Sequence, residues 1–360
     1  MKRAAYALIN LSSLKHNLAS VKKIAHRSKI MAVVKADAYG HGVMEVCRQL
    51  TDADAFSVAC VNEALELRAS GIVKPILALQ GFSSVEELQL ASAHKIQVVI
   101  HQEEQLKILQ SNSPAQSLDV YVKLDTGMHR LGFEPLQFKR VVAAINSYIS
   151  PGSSVKVMTH LASADELNST SIQQQLEYFD TTLVGQHYSQ SIANSAGILA
   201  CPQSHRDWVR PGLLLYGINP FNGDANNTTQ IDLHPVMSLH APIIAIKLCK
   251  KGERIGYGGE YCCPHDMVIG VVAAGYADGY PRHLSSAPMV SVRSLHAPIV
   301  GRVSMDMITV DLSAVNAQVR DTVELWGNDI SVTQVAKAAE TISYELLCAA
   351  GNAVHRKYID

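Results

Sequence analysis

The chain has 360 residues, 48% apolar and 18% charged, the balance of a well-cored soluble protein with room for one large domain and a smaller one. A formal net charge of −1 leaves no basic field for nucleic acid or an anionic membrane surface. Seven cysteines without a C-x-x-C pair point to a reducing, cytoplasmic setting and away from a metal site, with Cys262 and Cys263 read as ordinary thiols.

The opening "MKRAAYALINL" is basic, but its apolar stretch is too short for a signal peptide. No later apolar run approaches the roughly 20 residues that span a bilayer. Short apolar runs then recur: "MAVVKA", "AFSVAC", "PILALQG", "IQVVIH", "DVYVKLD", "VKVMTHL", "QSIANS" and "DWVR". Their near-continuous apolarity is that of parallel strands buried on both faces. Amphipathic stretches such as "VNEALELRAS", "EEQLKILQ" and "QFKRVVAAINSY" lie between them and read as helices. Eight strand-helix units of this α/β kind close into a (β/α)8 barrel of the TIM type, with an open doubly wound sheet as the alternative.

The pattern changes at "NGDANNTTQ", a polar connector. Beyond it, β-branched runs separated by Gly and Pro ("SLHAPIIAIKL", "MVIGVVAAGYADGYP", "PMVSVRS", "APIVGRVSMDMITVDL", "TVELWG") predict a predominantly β C-terminal domain. "ISVTQVAKAAETISYELLCAA" reads as one or two helices near its end. The expected division is 10–228 for the barrel and 229–360 for the β domain.

In such a barrel, functional residues sit at the C-terminal ends of the strands. Lys35 ends the first strand and Lys123 the fifth. Arg130 follows in "LDTGMHRLG". His160 ends the sixth strand, Asn194 and Ser195 the seventh, and Arg210 the eighth. Pro211 and Gly212 after the eighth strand are placed to open a short helix whose free N–H groups would face an anion. A lysine beside a phosphate cradle is the arrangement that binds pyridoxal phosphate (PLP) as a Schiff base. That lysine must be neutral to attack an aldehyde, so burial or nearby cations must lower its reference pKa of about 10.4.

"AVVKADAYGHG" resembles the PLP-lysine motif of bacterial alanine racemases. "KLDTGMHRLG", "DWVRPGLLLYG", "IGYGGEY", "AGYADGYPR" and "PIVGRVSMDM" resemble further blocks of that family, in the same order and over essentially the whole chain. The resemblance implies a PLP-bearing barrel followed by a β domain, a homodimer with shared active sites, and racemisation of alanine that supplies D-alanine for peptidoglycan. It also implies that the first strand, within residues 1–9, packs on the β domain. It makes Lys35 the Schiff-base lysine and Tyr39, Asn194, Ser195, Gly212 and Leu213 phosphate contacts. Arg210 becomes the partner of the cofactor's ring nitrogen, Arg130 the substrate-carboxylate contact, and Lys123 the often carbamylated lysine that steadies it. Tyr257 matches the second catalytic base, Met305 a backbone contact to the substrate carboxylate, and Tyr276 a tyrosine of the access channel. Three positions depart from the pattern. Asp37 stands where many relatives have Asn, Ser191 where some have His, and Asn352 near where some place a channel tyrosine.

Racemisation on this plan needs a base on each face of the substrate Cα, Lys35 on one and Tyr257 on the other. A phenol of pKa about 10 needs help worth about 4 kcal/mol to act near neutrality, and His160 and Arg210 are the expected cationic neighbours. An arginine at the ring nitrogen keeps its proton and restrains the ring as an electron sink. This disfavours a decarboxylase of basic amino acids. A single-domain PLP carrier would lack the second domain. A broader amino-acid racemase is the closer alternative.

Overall fold

The computed structural model describes residues 3–166, 170–221 and 230–360. Strand β1 (Tyr6–Asn10) runs directly into helix α1 (Leu11–Ile24). The Asn10 side chain stops the strand and starts the helix by accepting the Ser13 N–H at 3.0 Å. Leu14, Leu18 and Val21 form the buried stripe of α1.

Eight parallel strands follow: β2 (Lys29–Val33), β3 (Ala55–Val58), β4 (Ile76–Ala78), β5 (Ile96–Ile100), β6 (Val120–Lys123), β7 (Val155–Met158), β8 (Gln190–Ser191) and β9 (Trp208–Val209). They pair in sequence order, and β9 pairs with β2, so the sheet is a closed barrel and the open doubly wound alternative is excluded. One set of alternating residues fills the interior: Met31, Ala55, Leu77, Val99, Tyr121, Met158 and Trp208. The other set, including Ile30, Ala32, Phe56, Val98 and Val120, packs outward under the helices. Burial on both sides is why these strands read as unbroken apolar runs.

The connector "NGDANNTTQ", and with it the expected boundary at 228/229, lies outside the described residues except for Gln230. Beyond it come β10 (Met237–Cys249), β11 (Arg254–Ile255), β12 (Tyr261–Cys262), β13 (Met267–Val272), β14 (Met289–Val292), β15 (Leu295–Pro298), β16 (Ile308–Asp311), β17 (Thr322–Trp326) and β18 (His355–Ile359). The thirteen-residue β10 organises this sheet. Its first half pairs with β1 and β17 and its second half with β13, with register shifts between the two. β1 lies between β10 and β18, so the chain's first strand is built into the sheet formed by the strands after residue 236. Helices Val332–Ala338 and Ser343–Ala353 pack before β18.

Candidate active site

The lysine of "VVKADAYGHG" does not end a strand: β2 stops at Val33. Ala36, Asp37, Ala38 and Tyr39 then adopt φ of 53°, 52°, 54° and 55°, followed by Gly40 at 80°. This is a left-handed turn, which costs an L-residue roughly 1–2 kcal/mol per position. The surroundings hold it. Glu63 accepts the Ala36 N–H at 3.1 Å and the Ala59 N–H at 2.7 Å. Asp37 accepts the Val43 N–H at 2.7 Å and pairs with Arg356 of β18. Gly40 and Gly351 meet backbone to backbone, and a Cβ on Gly351 would come within 1.9 Å of the Gly40 carbonyl oxygen. The far end of the chain thus braces the turn that carries Lys35.

Lys35 faces a cavity of about 380 Å³ at the C-terminal mouth of the barrel, together with Tyr39, Lys123, Arg130, His160, Asn194, Ser195, Arg210, Gly212 and Leu213. All ten are residues singled out from the sequence. Burial, reinforced by the Arg130 charge, lowers the Lys35 ammonium from its usual range. Lys123 is pushed down to about 8 by burial and then by Arg210 and Arg130. Arg130 is presented by a tight loop in which Asp125 accepts the N–H groups of Gly127 and His129 at 3.1 and 3.0 Å.

On one side of the cavity, the Ser195 hydroxyl accepts the Gly212 N–H at 2.9 Å and that of Leu214 at 3.4 Å. Asn194 caps the short helix Ser195–Ala200 through the Gly197 N–H at 2.9 Å. Gly212 must lack a side chain, because a Cβ would sit 2.6 Å from the Tyr39 hydroxyl. On the opposite side, Arg210 is buried and donates to Ser191 Oγ at 2.6 Å, Thr159 O at 2.7 Å and Ile192 O at 3.1 Å. Ser191 in turn donates to Trp208 O at 3.0 Å, continuing the hydrogen-bond chain behind Arg210. His160 Nδ1 lies 3.1 Å from Arg210 Nη2. Burial and then Arg210 hold His160 far below its ordinary pKa, so it is neutral and not the cation expected from the sequence.

Tyr257, Met305 and Tyr276 do not line this cavity. They are 68%, 53% and 39% exposed on turns of the β domain. Those turns adjoin: Tyr276 N–H donates to Ser304 O at 3.1 Å, Ala277 N–H to Met305 O at 3.0 Å, and Gly256 packs beside Arg302. Asn352 is exposed and absent from the cavity; the tyrosine there is Tyr344, at the start of helix Ser343–Ala353, with its ring centroid 5.6 Å from that of Tyr39. Asn352, expected near a channel tyrosine, therefore does not line the cavity, and Tyr344 does. "TISYELL" carried the signal, a lone aromatic at a helix start, but nothing local ties it to a loop some three hundred residues earlier.

The model of the alanine racemase N-terminal domain matches residues 9–220, and that of the C-terminal domain matches residues 236–358. The chain belongs to the alanine racemase family. It is 44% identical to the alanine racemase of Vibrio cholerae over 99% of this chain and 98% of that protein. It is also 44% identical to the biosynthetic alanine racemase of Escherichia coli K12, over 99% and 100%. Among solved structures, the biosynthetic alanine racemase of Pseudomonas aeruginosa superposes with a TM-score of 0.93 at 41% identity, covering 100% of both chains. The alanine racemase of Acinetobacter baumannii gives 0.90 at 38%, covering 99% of this chain and 100% of that one. Alanine racemases are isomerases, and this chain is an enzyme of that kind. Among the described residues no helix is long and apolar enough to cross a membrane.

Proposed function

We propose that the chain interconverts L- and D-alanine with pyridoxal phosphate, as a homodimer in which each site takes Tyr257 and Met305 from the partner subunit. The carrying observation is the convergence of ten sequence-selected residues on one cavity, among them Lys35, whose ammonium is destabilised. The donor set suits the cofactor. A nucleophilic amine, two backbone N–H groups aimed at one hydroxyl, and a glycine that leaves no Cβ beside Tyr39 form a cradle for a phosphate. Lys35, Tyr39, Asn194, Ser195, Gly212 and Leu213 would hold the group, and Arg210 would donate to its ring nitrogen. When bound, pyridoxal phosphate withdraws electrons from the substrate Cα.

The protein's own residues do the rest. Lys35 Nζ, whose charged form burial and Arg130 disfavour, takes or returns a proton on one face. Tyr257 of the partner subunit does so on the other. Its exposure on one chain supports this, since a large aromatic on adjoining turns with Met305 and Tyr276 is ready to be covered by a second copy. Arg130 receives the substrate carboxylate, and Lys123 steadies Arg130. Arg210, pushed down to about 10 by burial, still carries its proton near neutrality and withholds it from the ring.

D-alanine made this way would feed peptidoglycan, and the seven unpaired cysteines support a cytoplasmic setting. The test is incubation with L-alanine, L-serine and L-lysine, with D-isomers resolved by chiral chromatography. D-alanine formed far faster than the others supports the reading. Comparable rates would favour a broad racemase.

A further inference from the structure

A second polar cluster lies away from the cavity, where α1 meets the segment leading into β10. His16 is next to Asn17, and Asn17 fixes the incoming chain. Its Nδ2 donates to His234 O at 2.8 Å and Leu215 O at 3.1 Å, and its Oδ1 accepts the His234 N–H at 2.8 Å. This lays the His234 ring on the His16 ring, with centroids 4.0 Å apart and planes 2° from parallel. Asp232, two residues earlier, brings its carboxylate to the edge of the stack. Oδ2 is 3.0 Å from His16 Nε2, and Oδ1 is 3.7 Å from His234 Nε2. One donor atom from each of the three residues lies within 4.8 Å of the other two.

We propose that His16, Asp232 and His234 bind a borderline divalent transition ion, Zn²⁺ foremost, which clasps α1 to the segment entering β10. Ligands about 2.0–2.1 Å from a tetrahedral zinc are separated by about 3.4 Å, and the two histidine–carboxylate separations, each to a different oxygen of Asp232, fall on either side of that value. Two imidazoles and one carboxylate suit zinc and its neighbours better than calcium or magnesium, which take oxygen shells. His16 Nε2 is also sheltered from water without a directed hydrogen bond, despite its closeness to Asp232. Such a nitrogen gains a partner when a metal enters. Parallel rings aim their lone pairs in parallel, so to share one ion the two imidazoles must lean together on the carboxylate side and open on the far side. Their side chains are 33% and 53% exposed, which leaves room to do so. The backbone needs no such change, because Asn17 already sets it. A water completes the shell. The cysteine spacing that argued against a metal could not reveal this site, whose ligands come together only through the fold.

The test uses the full-length holoenzyme. Titration with Co²⁺ should show one ion per chain with the visible d–d bands of a tetrahedral site. Zn²⁺ should raise the melting temperature. His16→Ala and His234→Ala should lose both effects while metal-free racemase activity stays unchanged. Should either fold poorly, Asp232→Asn, which keeps the side chain's shape, must also lose them. Equal binding by wild type and these variants, or no saturable binding, overturns the proposal. So do thiolate-to-cobalt charge-transfer bands that persist unchanged in the variants, because the metal then sits on cysteines.

Discussion

Arg210 Nη2 lies 3.1 Å from His160 Nδ1, and this contact, added to burial, fixes the tautomer of the histidine. A guanidinium can only donate, so Nδ1 must accept and the imidazole proton resides on Nε2. A second positive charge there would meet Arg210 directly. Of the two cations expected to assist Tyr257, only Arg210 therefore carries charge. Nitrogen-15 NMR of histidine-labelled protein should show His160 still as the neutral Nε2–H tautomer below the pH at which a free histidine becomes charged. A His160 signal that titrates near pH 6.5 contradicts this.

His41 makes the same point for stability. It is fully buried, with Nδ1 2.9 Å from Ala38 O and 3.0 Å from Tyr39 O, and its Nε2 has no partner. Burial pushes it down to about 4. In the unfolded chain it binds a proton below about pH 6.5, so the unfolded state takes up more protons between the two values. Stability should be complete above that window and fall as pH drops through it, by about 2 kcal/mol at pH 5 from this group alone. His41→Phe, which keeps the stack on Tyr216, should be less stable at neutral pH yet lose less on acidification. Urea denaturation at the two pH values reads the difference, and equal acid losses in the two proteins would count against it.

Lys123 stands next to two guanidinium charges with its pKa at about 8, so a sizeable neutral fraction exists at neutral pH. A neutral amine can add carbon dioxide, forming an N–C bond and releasing a proton. The carbamate would turn repulsion of Arg130 into a charge-assisted pair. Carbon-13 bicarbonate should give a carbamate signal that grows as pH rises through 8 and is missing in Lys123→Ala. Activity of that variant should recover partly with a small carboxylate. A bare amine in the presence of bicarbonate would refute the assignment.

The Asp37–Arg356 pair joins the left-handed turn to β18, and Arg356 also donates to Gly40 O at 3.2 Å. Asp37→Asn keeps an acceptor for the Val43 N–H and loses only the ion pair. Arg356→Ala loses both contacts of the arginine. An exposed pair is worth about 1 kcal/mol or less, but this one is partly buried and holds strained backbone. Cofactor loss on dialysis should rank Arg356→Ala fastest, Asp37→Asn next and wild type slowest. The reverse order would show that the brace is not what holds the turn.

The barrel was legible because its strands are buried on both faces and so write themselves as apolar runs; even the two-residue β8 and β9 sit inside "QSIANS" and "DWVR". Most of the cavity residues were legible because they follow those runs, and Tyr39 and Leu213 because the family resemblance named them. Other features were not. β18, "HRKYI", is a polar edge strand with no alternation to announce it. Alanines at 36 and 38 favour right-handed backbone, and contacts distant in sequence, among them Glu63, Arg356 and Gly351, hold them otherwise. Tyr344 reaches the cavity across the whole length of the chain, a contact that no local pattern encodes.

If Lys35 and Tyr257 serve opposite faces, Tyr257→Phe should block removal of the α-proton from L-alanine far more than from D-alanine. Solvent-deuterium exchange on each enantiomer measures the two separately. Equal losses would mean that one base, or a water, serves both faces.

The central claim is that each site is assembled from two chains, and mixing two inactive variants tests it directly. Lys35→Ala removes one base from the barrel cavity; Tyr257→Phe removes the other from the β domain. In a mixed dimer with two-fold symmetry, one site collects both lesions and the other neither. Random exchange makes half the dimers mixed, so roughly a quarter of wild-type activity should return while each parent stays nearly inactive from L to D. Subunits shown to exchange, yet with no activity recovered, would mean that Lys35 and Tyr257 act within one chain, contrary to this account.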